Sequence, residues 1–259
     1  MNESRHIEFR NTKLGYKNHT ILSKVNLSIE QGEIHCVFGR NGSGKTTLLK
    51  SLIGLIPLLE GEIFVDDNSL FHLDEKEKAK MMAIVLTSRN VISSMNVRQY
   101  VTFGRYPYRN WLGVQMKDEE KYVNEAIELC GINNLQEQDM NELSDGEMQK
   151  VQIARSLAQH TNILLLDEPA SHLDLVNKAE IFKILNDIRQ HKSKTILFTS
   201  HDIQFAMQLS DHFIVAQEGK LNKMTKATFI EEKVYEKVLN SDLMNVDAER
   251  NAVVFKTAD

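Results

Sequence analysis

The chain has 259 residues, of which 42% are hydrophobic and 26% are charged, and this composition is that of an ordinary soluble globular protein. Its formal net charge of −5 argues against nucleic acid as a partner bound through a basic surface, and against polybasic attachment to anionic lipid. No apolar run approaches the roughly 20 residues that a membrane-spanning helix needs, so we expect no direct insertion into a membrane.

The N-terminal sequence and the cysteines favour a cytoplasmic location. Residues 1–12 contain no apolar core of a signal peptide, so we do not expect secretion. Cys36 and Cys130 are isolated in the sequence, and two such residues make neither a disulfide framework nor a zinc site. A reducing compartment is therefore expected.

The first 35 residues are predicted to form short strands. Ile7 and Phe9 alternate with polar neighbours, and the same alternation recurs at residues 25–29. A further strand is predicted at residues 62–65, because a turn-forming run of Asp and Asn follows it. These segments predict a β-rich layer.

The most informative stretch is Gly-Arg-Asn-Gly-Ser-Gly-Lys-Thr-Thr at residues 39–47. It follows an apolar segment that is typical of a buried strand and precedes a predicted helix, which is the P-loop arrangement. Its glycines allow a tight turn that brings backbone N–H groups close to phosphate oxygens: Gly39, Gly42 and Gly44. The helix that follows directs its positive N-terminal end at the same anion.

The polar residues of this stretch complete a predicted nucleotide site. Lys45 supplies a mobile charge for the β- and γ-phosphates, and Thr46 supplies a hydroxyl to a magnesium ion. The alternative is a glycine-rich turn with an incidental lysine, but both the spacing and the context favour the phosphate site. We therefore predict that the whole loop contacts nucleotide, including Arg40, Asn41, Ser43 and Thr47.

Residues 88–150 are predicted to form a helical block inserted into an α/β chain. A charged helix at residues 74–81 and a buried strand at residues 82–86 come before it. Helical spacing is clear at residues 117–130, and Gly131 fits a C-cap. The block also contains a cluster of aromatic and basic residues: Arg105, Tyr106, Tyr108, Arg109 and Trp111.

A second helix start, at Ser144, has two compatible interpretations. Ser144 and Glu147 have the spacing of a capping box, which would stabilise the helix that follows. Alternatively, Ser144 and the helix N-terminus bind the γ-phosphate of a nucleotide held by another subunit. The segment alone does not separate the two.

The apolar run at residues 163–166 ends in two acids, Asp167 and Glu168. In a P-loop enzyme, Asp167 would hold magnesium directly or through water, and Glu168 would polarise an attacking water. The alternative is a pair of solvated acids at a strand end. The presence of the P-loop in the same chain favours the functional interpretation.

Strands and helices alternate through the last hundred residues, which predicts a mostly parallel sheet. The predicted helices are 175–189, 203–209 and 228–239, and the predicted strands are 195–198, 213–215 and 252–255. His201 ends one of these strands and could contact the γ-phosphate. The spacing of three histidines excludes a zinc site among them: His172, His191 and His201.

These motifs, in this order, closely resemble those of the ATP-binding cassette (ABC) ATPases, over roughly residues 5–235. Residues 39–47 match the Walker A motif and residues 163–167 the Walker B strand. Glu168 then matches the catalytic glutamate and His201 the switch histidine. The resemblance also makes Tyr16 the aromatic residue that stacks on adenine; the alternative is a half-buried strand tyrosine.

The resemblance implies an α/β fold in which a P-loop NTPase (RecA-like) core carries an antiparallel β layer and an inserted helical subdomain. The core and β layer are assigned to residues 1–87 and 151–240, the helical subdomain to 88–150, and a C-terminal extension to 241–259. It also implies ATP and Mg²⁺ as ligands. A head-to-tail homodimer would hold each ATP between Walker A of one subunit and the other subunit's Ser144, Asp145 and Gly146.

Two departures from the family pattern stand out. The signature motif normally reads Leu-Ser-Gly-Gly-Gln, whereas here it reads Leu-Ser-Asp-Gly-Glu, so that Asp145 and Glu147 add negative charge. The glutamine that normally reaches magnesium and links the site to the membrane subunit is also missing. Ser88 aligns best with the position of that glutamine and would take its role as a magnesium ligand, and Thr87 is the alternative.

Residues 97–108 resemble the corresponding part of importers for iron–siderophore, haem and cobalamin. We therefore expect an ATPase subunit of an importer, with an iron chelate as cargo, held on the inner face of the membrane by a permease. A substrate-binding protein would be an indirect partner. The cluster from Tyr106 to Trp111 would then lie near the docking groove for the permease, or serve only local packing.

Two other functions fit the same motifs. One is a soluble ABC ATPase without a transport role, although such proteins usually carry two cassettes or a long coiled-coil insert. The other is a catalytically weak regulatory subunit, which Asp145, Glu147 and Ser88 would favour.

Overall fold

The computed structural model describes residues 5–17, 19–87, 95–109, 118–190, 194–239, 244–247 and 252–255. The chain divides into two compact units, residues 1–73 with 195–259 and residues 74–194. Three residues singled out from the sequence lie outside the described part of the chain: Ser88, Trp111 and His191. Most of the predicted C-terminal extension lies outside it as well. The subdomain boundaries at 88 and 150 remain a prediction.

The strands, numbered along the chain, are β1 (Arg5–Tyr16), β2 (His19–Glu30), β3 (Ile34–Phe38), β4 (Leu58–Val65), β5 (Asn68–Ser69), β6 (Met82–Val85), β7 (Ile163–Leu166), β8 (Thr195–Ser200), β9 (His212–Gln217), β10 (Lys220–Thr225), β11 (Met244–Asp247) and β12 (Ala252–Phe255). The alternation of apolar residues predicted β1 and β2, because residues on the buried face of a strand recur with a period of two. Continuous apolar runs predicted buried strands such as β3, β6 and β7. Three strands were not predicted, namely β5, β10 and β11, the last of which pairs with β12.

The α-helices are α1 (Lys45–Leu52), α2 (Glu75–Met81), α3 (Val97–Thr102), α4 (Glu119–Leu129), α5 (Asp145–Ala158), α6 (Leu175–Gln190), α7 (Ile203–Leu209), α8 (Lys226–Glu231) and α9 (Val234–Leu239). Short 3₁₀ helices cover Phe103–Tyr108, Asn133–Leu135 and Met140–Glu142. Among the described residues, no helix combines the length and the apolar character that crossing a bilayer demands.

The first unit contains an antiparallel layer with the strand order β2-β1-β4-β5. Ile7 and Phe9 of β1 pair with Ile29 and Leu27 of β2, and all four side chains are buried. The predicted β layer is therefore confirmed, and its apolar face follows from the alternation in the sequence.

The first unit also contains the strand order β10-β9-β3-β8, in which β3 runs parallel to both β8 and β9. Every residue of β3 and β8 is buried, as expected for strands that are covered on both faces. In the second unit β6 and β7 pair in parallel. These pairs confirm the predicted α/β class with parallel strands.

The helix predicted at residues 228–239 is wrong as a single element, because α8 ends at Glu231 and α9 begins at Val234. Lys233 lies between them with φ 48°, a left-handed conformation that an α-helix cannot continue through. Phe229 and Tyr235 would lie roughly 120° apart around a continuous helix. The break lets both side chains reach the core, where Phe229 stacks on Phe213 with 3.9 Å between ring centroids.

Candidate functional site

The glycine-rich loop between β3 and α1 has no room for side chains at two of its glycines. A Cβ atom on Gly39 would lie 2.6 Å from the Ala216 carbonyl oxygen, and one on Gly44 would lie 2.8 Å from Ile21. Gly42 and Gly44 have φ of 81° and 100°, which L side chains rarely adopt. The backbone can therefore form a tight cradle there, whose N–H groups can approach an anion.

Lys45 is folded back against this loop. The residue is only 5% exposed. Its Nζ donates hydrogen bonds to the carbonyl oxygens of Gly39 at 2.9 Å and Arg40 at 3.2 Å. The hydroxyl oxygen of Ser43 is buried and has no hydrogen-bond partner among the described residues. Thr46 is partly exposed, whereas Thr47 is buried. The loop thus carries a buried positive charge and an unused hydroxyl.

The register of β3 and β8 brings His201 to the edge from which this loop leaves. Phe38 pairs with Ser200, so the next residues, Gly39 and His201, follow their strands at the same end. In open α/β sheets, ligands bind at this carboxyl end of the strands. His201 is exposed, and Tyr16 at the end of β1 is 50% exposed, which leaves its ring accessible for stacking.

The acid pair lies in the second unit, directly after the buried strand β7. Asp167 is only 5% exposed, and its backbone N–H donates to the Val85 carbonyl at 2.8 Å. Glu168 has φ 48°, a strained conformation for a residue with a side chain. Its carboxylate accepts a hydrogen bond from the Ser171 hydroxyl at 2.7 Å. The backbone strain and this hydrogen bond together fix where the Glu168 carboxylate lies.

Thr87 contacts the acid pair, although the sequence alone favours Ser88 for this place. The Thr87 hydroxyl donates to the backbone oxygen of Asp167 at 3.0 Å and lies 3.3 Å from its carboxylate. The pairing of Val85 with Leu166 explains this proximity, because the two strands end side by side. Only the parallel register of β6 and β7 reveals the contact.

Ser144 and Glu147 form the predicted capping box at the start of α5. The Ser144 hydroxyl oxygen accepts from the Glu147 N–H, while the Glu147 carboxylate accepts from the Ser144 N–H at 2.9 Å and from its hydroxyl at 2.7 Å. The hydrogen bonds from Ser144, led by the one from its hydroxyl, lower the pKa of Glu147. The structural interpretation of this segment is therefore confirmed, and the phosphate-binding one stays a prediction.

Packing explains why position 146 is a glycine, and the sequence alone does not show this. A Cβ atom on it would lie 2.0 Å from the side-chain oxygen of Asn177, which belongs to α6. Asn177 is itself held by Asp174, whose carboxylate accepts from the Asn177 backbone and side chain at 2.8 Å each. Any larger residue at position 146 would have to displace this arrangement, whereas Asp145 is exposed.

We expect Ser144→Ala to lower the free energy of unfolding by about 1 kcal/mol at neutral pH, the usual cost of losing an N-cap. Because the folded pKa of Glu147 is lowered, its contribution is present above the ordinary value of 4.5 and is lost as the pH falls through the folded pKa. The loss caused by Ser144→Ala should therefore be smaller at pH 4 than at pH 7 in urea denaturation.

Thr225→Ala is the matched control for this prediction. Thr225 caps α8 through the Thr228 N–H, but the third helical residue there is Thr228 and not an acid. Its removal should cost a similar amount with no pH dependence in the same range. An equal pH dependence in both variants would show that Glu147 does not contribute through its charge.

The aromatic and basic cluster of the second unit has two parts. Arg105 is buried, donates to the Ala158 carbonyl at 2.7 Å and stacks on Tyr108 and Tyr122, so these residues serve local packing. Arg109 instead lines a cavity of about 660 Å³ beside α3 and α4, together with Phe103, which precedes the cluster in the sequence. Arg109 is paired there with Glu119 at 2.6 Å.

One buried strand of this chain ends in a phosphate-binding glycine loop, and another ends in a pair of acids. This combination defines a P-loop nucleoside triphosphatase. The model of the ABC transporter family matches residues 22–171, which is more than half of the chain. The chain therefore belongs to the ABC transporter family and is an ATP-binding subunit that hydrolyses ATP.

Two curated relatives and one solved structure give the same classification. The achromobactin transport ATP-binding protein CbrD of Dickeya dadantii is 32% identical over 91% of this chain and 88% of its own length. The iron(3+)-hydroxamate import ATP-binding protein FhuC of Bacillus subtilis is 31% identical over 91% and 86%. The dimeric structure of the bacterial ABC transporter cassette MJ0796 has a TM-score of 0.74 at 28% identity, covering 85% of this chain and 98% of that one.

These relatives do not favour the alternatives of a non-transport ATPase or a weak regulatory subunit. Both curated relatives are named as ATP-binding components of transport or import systems, and the match extends over most of each chain.

Proposed function

We propose that this chain is the ATPase subunit of an importer for an iron chelate, and that ATP-driven closure of its homodimer powers a separate permease. The observation that carries the ATPase part is the cradle at Gly39–Lys45, in which tight glycines surround a buried lysine. The names of CbrD and FhuC support the cargo, and the dimeric MJ0796 structure supports the homodimer.

In this proposal the loop holds the triphosphate. Backbone N–H groups of the loop bind its oxygens, and Lys45 exchanges the Gly39 and Arg40 carbonyls for the β- and γ-phosphates. The buried Ser43 hydroxyl gains a phosphate oxygen as its partner. Tyr16 stacks on the adenine, since half of its surface is accessible. The remaining loop residues complete the contacts: Asn41, Gly42, Gly44, Thr46 and Thr47.

The donors available for magnesium are oxygens, which this hard cation prefers. We assign the Thr46 hydroxyl and the Asp167 carboxylate as ligands. Thr87 holds that carboxylate through its hydroxyl and is the candidate for the place of the family's glutamine, ahead of Ser88. When bound, Mg²⁺ supplies charge neutralisation on the phosphates.

Hydrolysis in this proposal depends on two residues that follow buried strands. Glu168 accepts a proton from the attacking water, and its strained backbone together with Ser171 fixes the position of the carboxylate. His201 contacts the γ-phosphate. In the homodimer, the partner copy presents Ser144, Asp145 and Gly146 at the start of α5, where the helix N-terminus favours an anion. To do so, Ser144 must give up the hydrogen bond that its hydroxyl donates to the Glu147 carboxylate.

The permease is proposed to dock in the cavity of about 660 Å³ in the second unit. Phe103 is 45% exposed at its wall and offers an apolar anchor. Arg109, which is paired with the buried Glu119, supplies a polar contact. Such a groove suits a short amphipathic helix. Docking there would hold the chain on the inner face of the membrane, with a substrate-binding protein as an indirect partner.

Uptake by reconstituted proteoliposomes tests the cargo and the coupling together. We expect the chain with its co-purified permease to drive ATP-dependent uptake of a ferric hydroxamate, and Phe103→Asp to reduce this uptake several-fold while leaving ATP binding by the isolated chain unchanged. A Glu168→Gln preparation serves as the inactive control. ATP hydrolysis without uptake of any iron chelate would contradict the proposed cargo.

A further inference from the structure

At the end of the first unit opposite the phosphate loop, four polar side chains meet where strands begin or end. Glu30 ends β2, Glu33 precedes β3, His35 is the second residue of β3, and His212 begins β9. His35 and His212 are paired in the register of the two strands, and their rings stack with 5.4 Å between centroids. None of these residues belongs to the nucleotide site.

His35 has a position that is hard to explain by packing. It is completely buried, and neither ring nitrogen has a hydrogen-bond partner of good geometry among the described residues. Burying an unpartnered polar group is unfavourable. Burial, followed by the charge of Lys223 and the proximity of His212, lowers the pKa of His35 to about 3, against a smaller opposing effect of the Glu30 backbone. A bound metal ion would give one of these unpartnered nitrogens a partner.

The atoms that face one another are spaced like metal ligands. The Nε2 atom of His35 lies 3.6 Å from a carboxylate oxygen of Glu33 and 4.0 Å from one of Glu30. One ligand atom from each of the three residues lies within 4.8 Å of the others. In a tetrahedral zinc site with bonds of about 2.0–2.1 Å, ligand atoms are about 3.3–3.4 Å apart. Small movements of the two carboxylates would close the difference.

We propose that Glu30, Glu33 and His35 bind a divalent first-row transition metal ion, and that Zn²⁺ is the ion which fits best. Imidazole with carboxylates suits such ions, whereas Mg²⁺ and Ca²⁺ prefer oxygen ligands alone. His212 lies beside the site, with its Nε2 3.2 Å from the same Glu33 carboxylate oxygen that faces His35. A water molecule would complete the four ligands.

Lys223 competes with the ion for Glu30. Its Nζ is in direct contact with the Glu30 carboxylate, so it must withdraw before that oxygen can bind a metal. The Lys223 side chain is partly exposed, which allows this movement. Lys223→Met should therefore bind Zn²⁺ several-fold more tightly than the wild type, whereas weaker binding would overturn the assignment of Glu30 as a ligand.

The direct test is a zinc titration of the nucleotide-free, chelator-treated full chain by calorimetry. The wild type should bind one more equivalent of Zn²⁺ than either Glu33→Gln or His35→Leu, and Zn²⁺ should raise its melting temperature by several degrees. Glu33 is 36% exposed, so its amide variant should fold. His35→Leu replaces an unpartnered buried imidazole by an apolar side chain and should melt no lower than the metal-free wild type.

His72→Gln is the matched control, because His72 is an exposed histidine of the same unit outside the cluster. It should retain the full zinc stoichiometry and the full increase in melting temperature. Mg²⁺ at the same concentration should produce neither effect. Equal zinc stoichiometry in the wild type, Glu33→Gln and His35→Leu would overturn the proposal.

Discussion

Glu168→Gln is expected to reduce ATP hydrolysis by at least about 100-fold, the lower end of what a positioned general base contributes. Glutamine keeps the shape of the side chain and can still meet the Ser171 hydroxyl, so ATP binding should remain at the wild-type level. The ATP-bound homodimer should then accumulate, because binding favours closure and hydrolysis is no longer available to reverse it. Phosphate release and size-exclusion chromatography with ATP measure the two effects.

Glu168→Gly separates catalysis from folding. The backbone at this position has φ 48°, which glycine adopts without strain, so the variant should be at least as stable as the wild type in thermal melting. Its hydrolysis should be as low as that of Glu168→Gln. Hydrolysis at the wild-type rate in either variant would remove Glu168 from the mechanism.

Lys45→Ala is expected to weaken ATP binding by about 100-fold, or roughly 3 kcal/mol. Its Nζ already makes two hydrogen bonds to backbone carbonyls, so nucleotide binding exchanges neutral acceptors for charged phosphate oxygens. Hydrogen bonds to charged groups contribute about 1.5–3 kcal/mol each. This is roughly twice the contribution of hydrogen bonds between neutral groups. Calorimetric titration with a non-hydrolysable ATP analogue measures the loss.

Lys50→Ala is the matched control, because Lys50 lies on the same helix α1 and in its last turn. It should bind nucleotide as the wild type does. If Lys45 only braces the loop, Lys45→Ala would lower the melting temperature of the nucleotide-free chain and change affinity little. That result would return Lys45 to a structural role.

Local patterns were sufficient wherever a feature depends on neighbouring residues. The glycine loop and the helix after it were predicted because their phosphate-binding geometry is set by a nine-residue stretch. The capping box was predicted for the same reason, since Ser144 and Glu147 contact each other across one helical turn. Both involve short sequence separations, so tertiary structure had little to add.

Contacts between residues far apart in sequence could not be predicted in this way. Thr87 and Asp167 are 80 residues apart, and only the pairing of β6 with β7 brings the Thr87 hydroxyl to the backbone oxygen and the carboxylate of Asp167. The break between α8 and α9 is another example. Phe229 and Tyr235 are both buried, but their spacing would place them on different faces of one continuous helix, so the break depends on the core that both side chains enter.

The sequence by itself determined the α/β class, because strand and helix patterns alternate along the chain. It also determined the phosphate loop and the acid pair, because each is a short run of residues that directly follows an apolar strand. Tertiary structure alone decided which residues support them and where further chemistry lies. His35 and His212 are separated by most of the chain, yet the parallel register of β3 and β9 makes them neighbours. The physical reason is that sheet register joins distant segments, and a period of two in each strand fixes its buried face but not its partner.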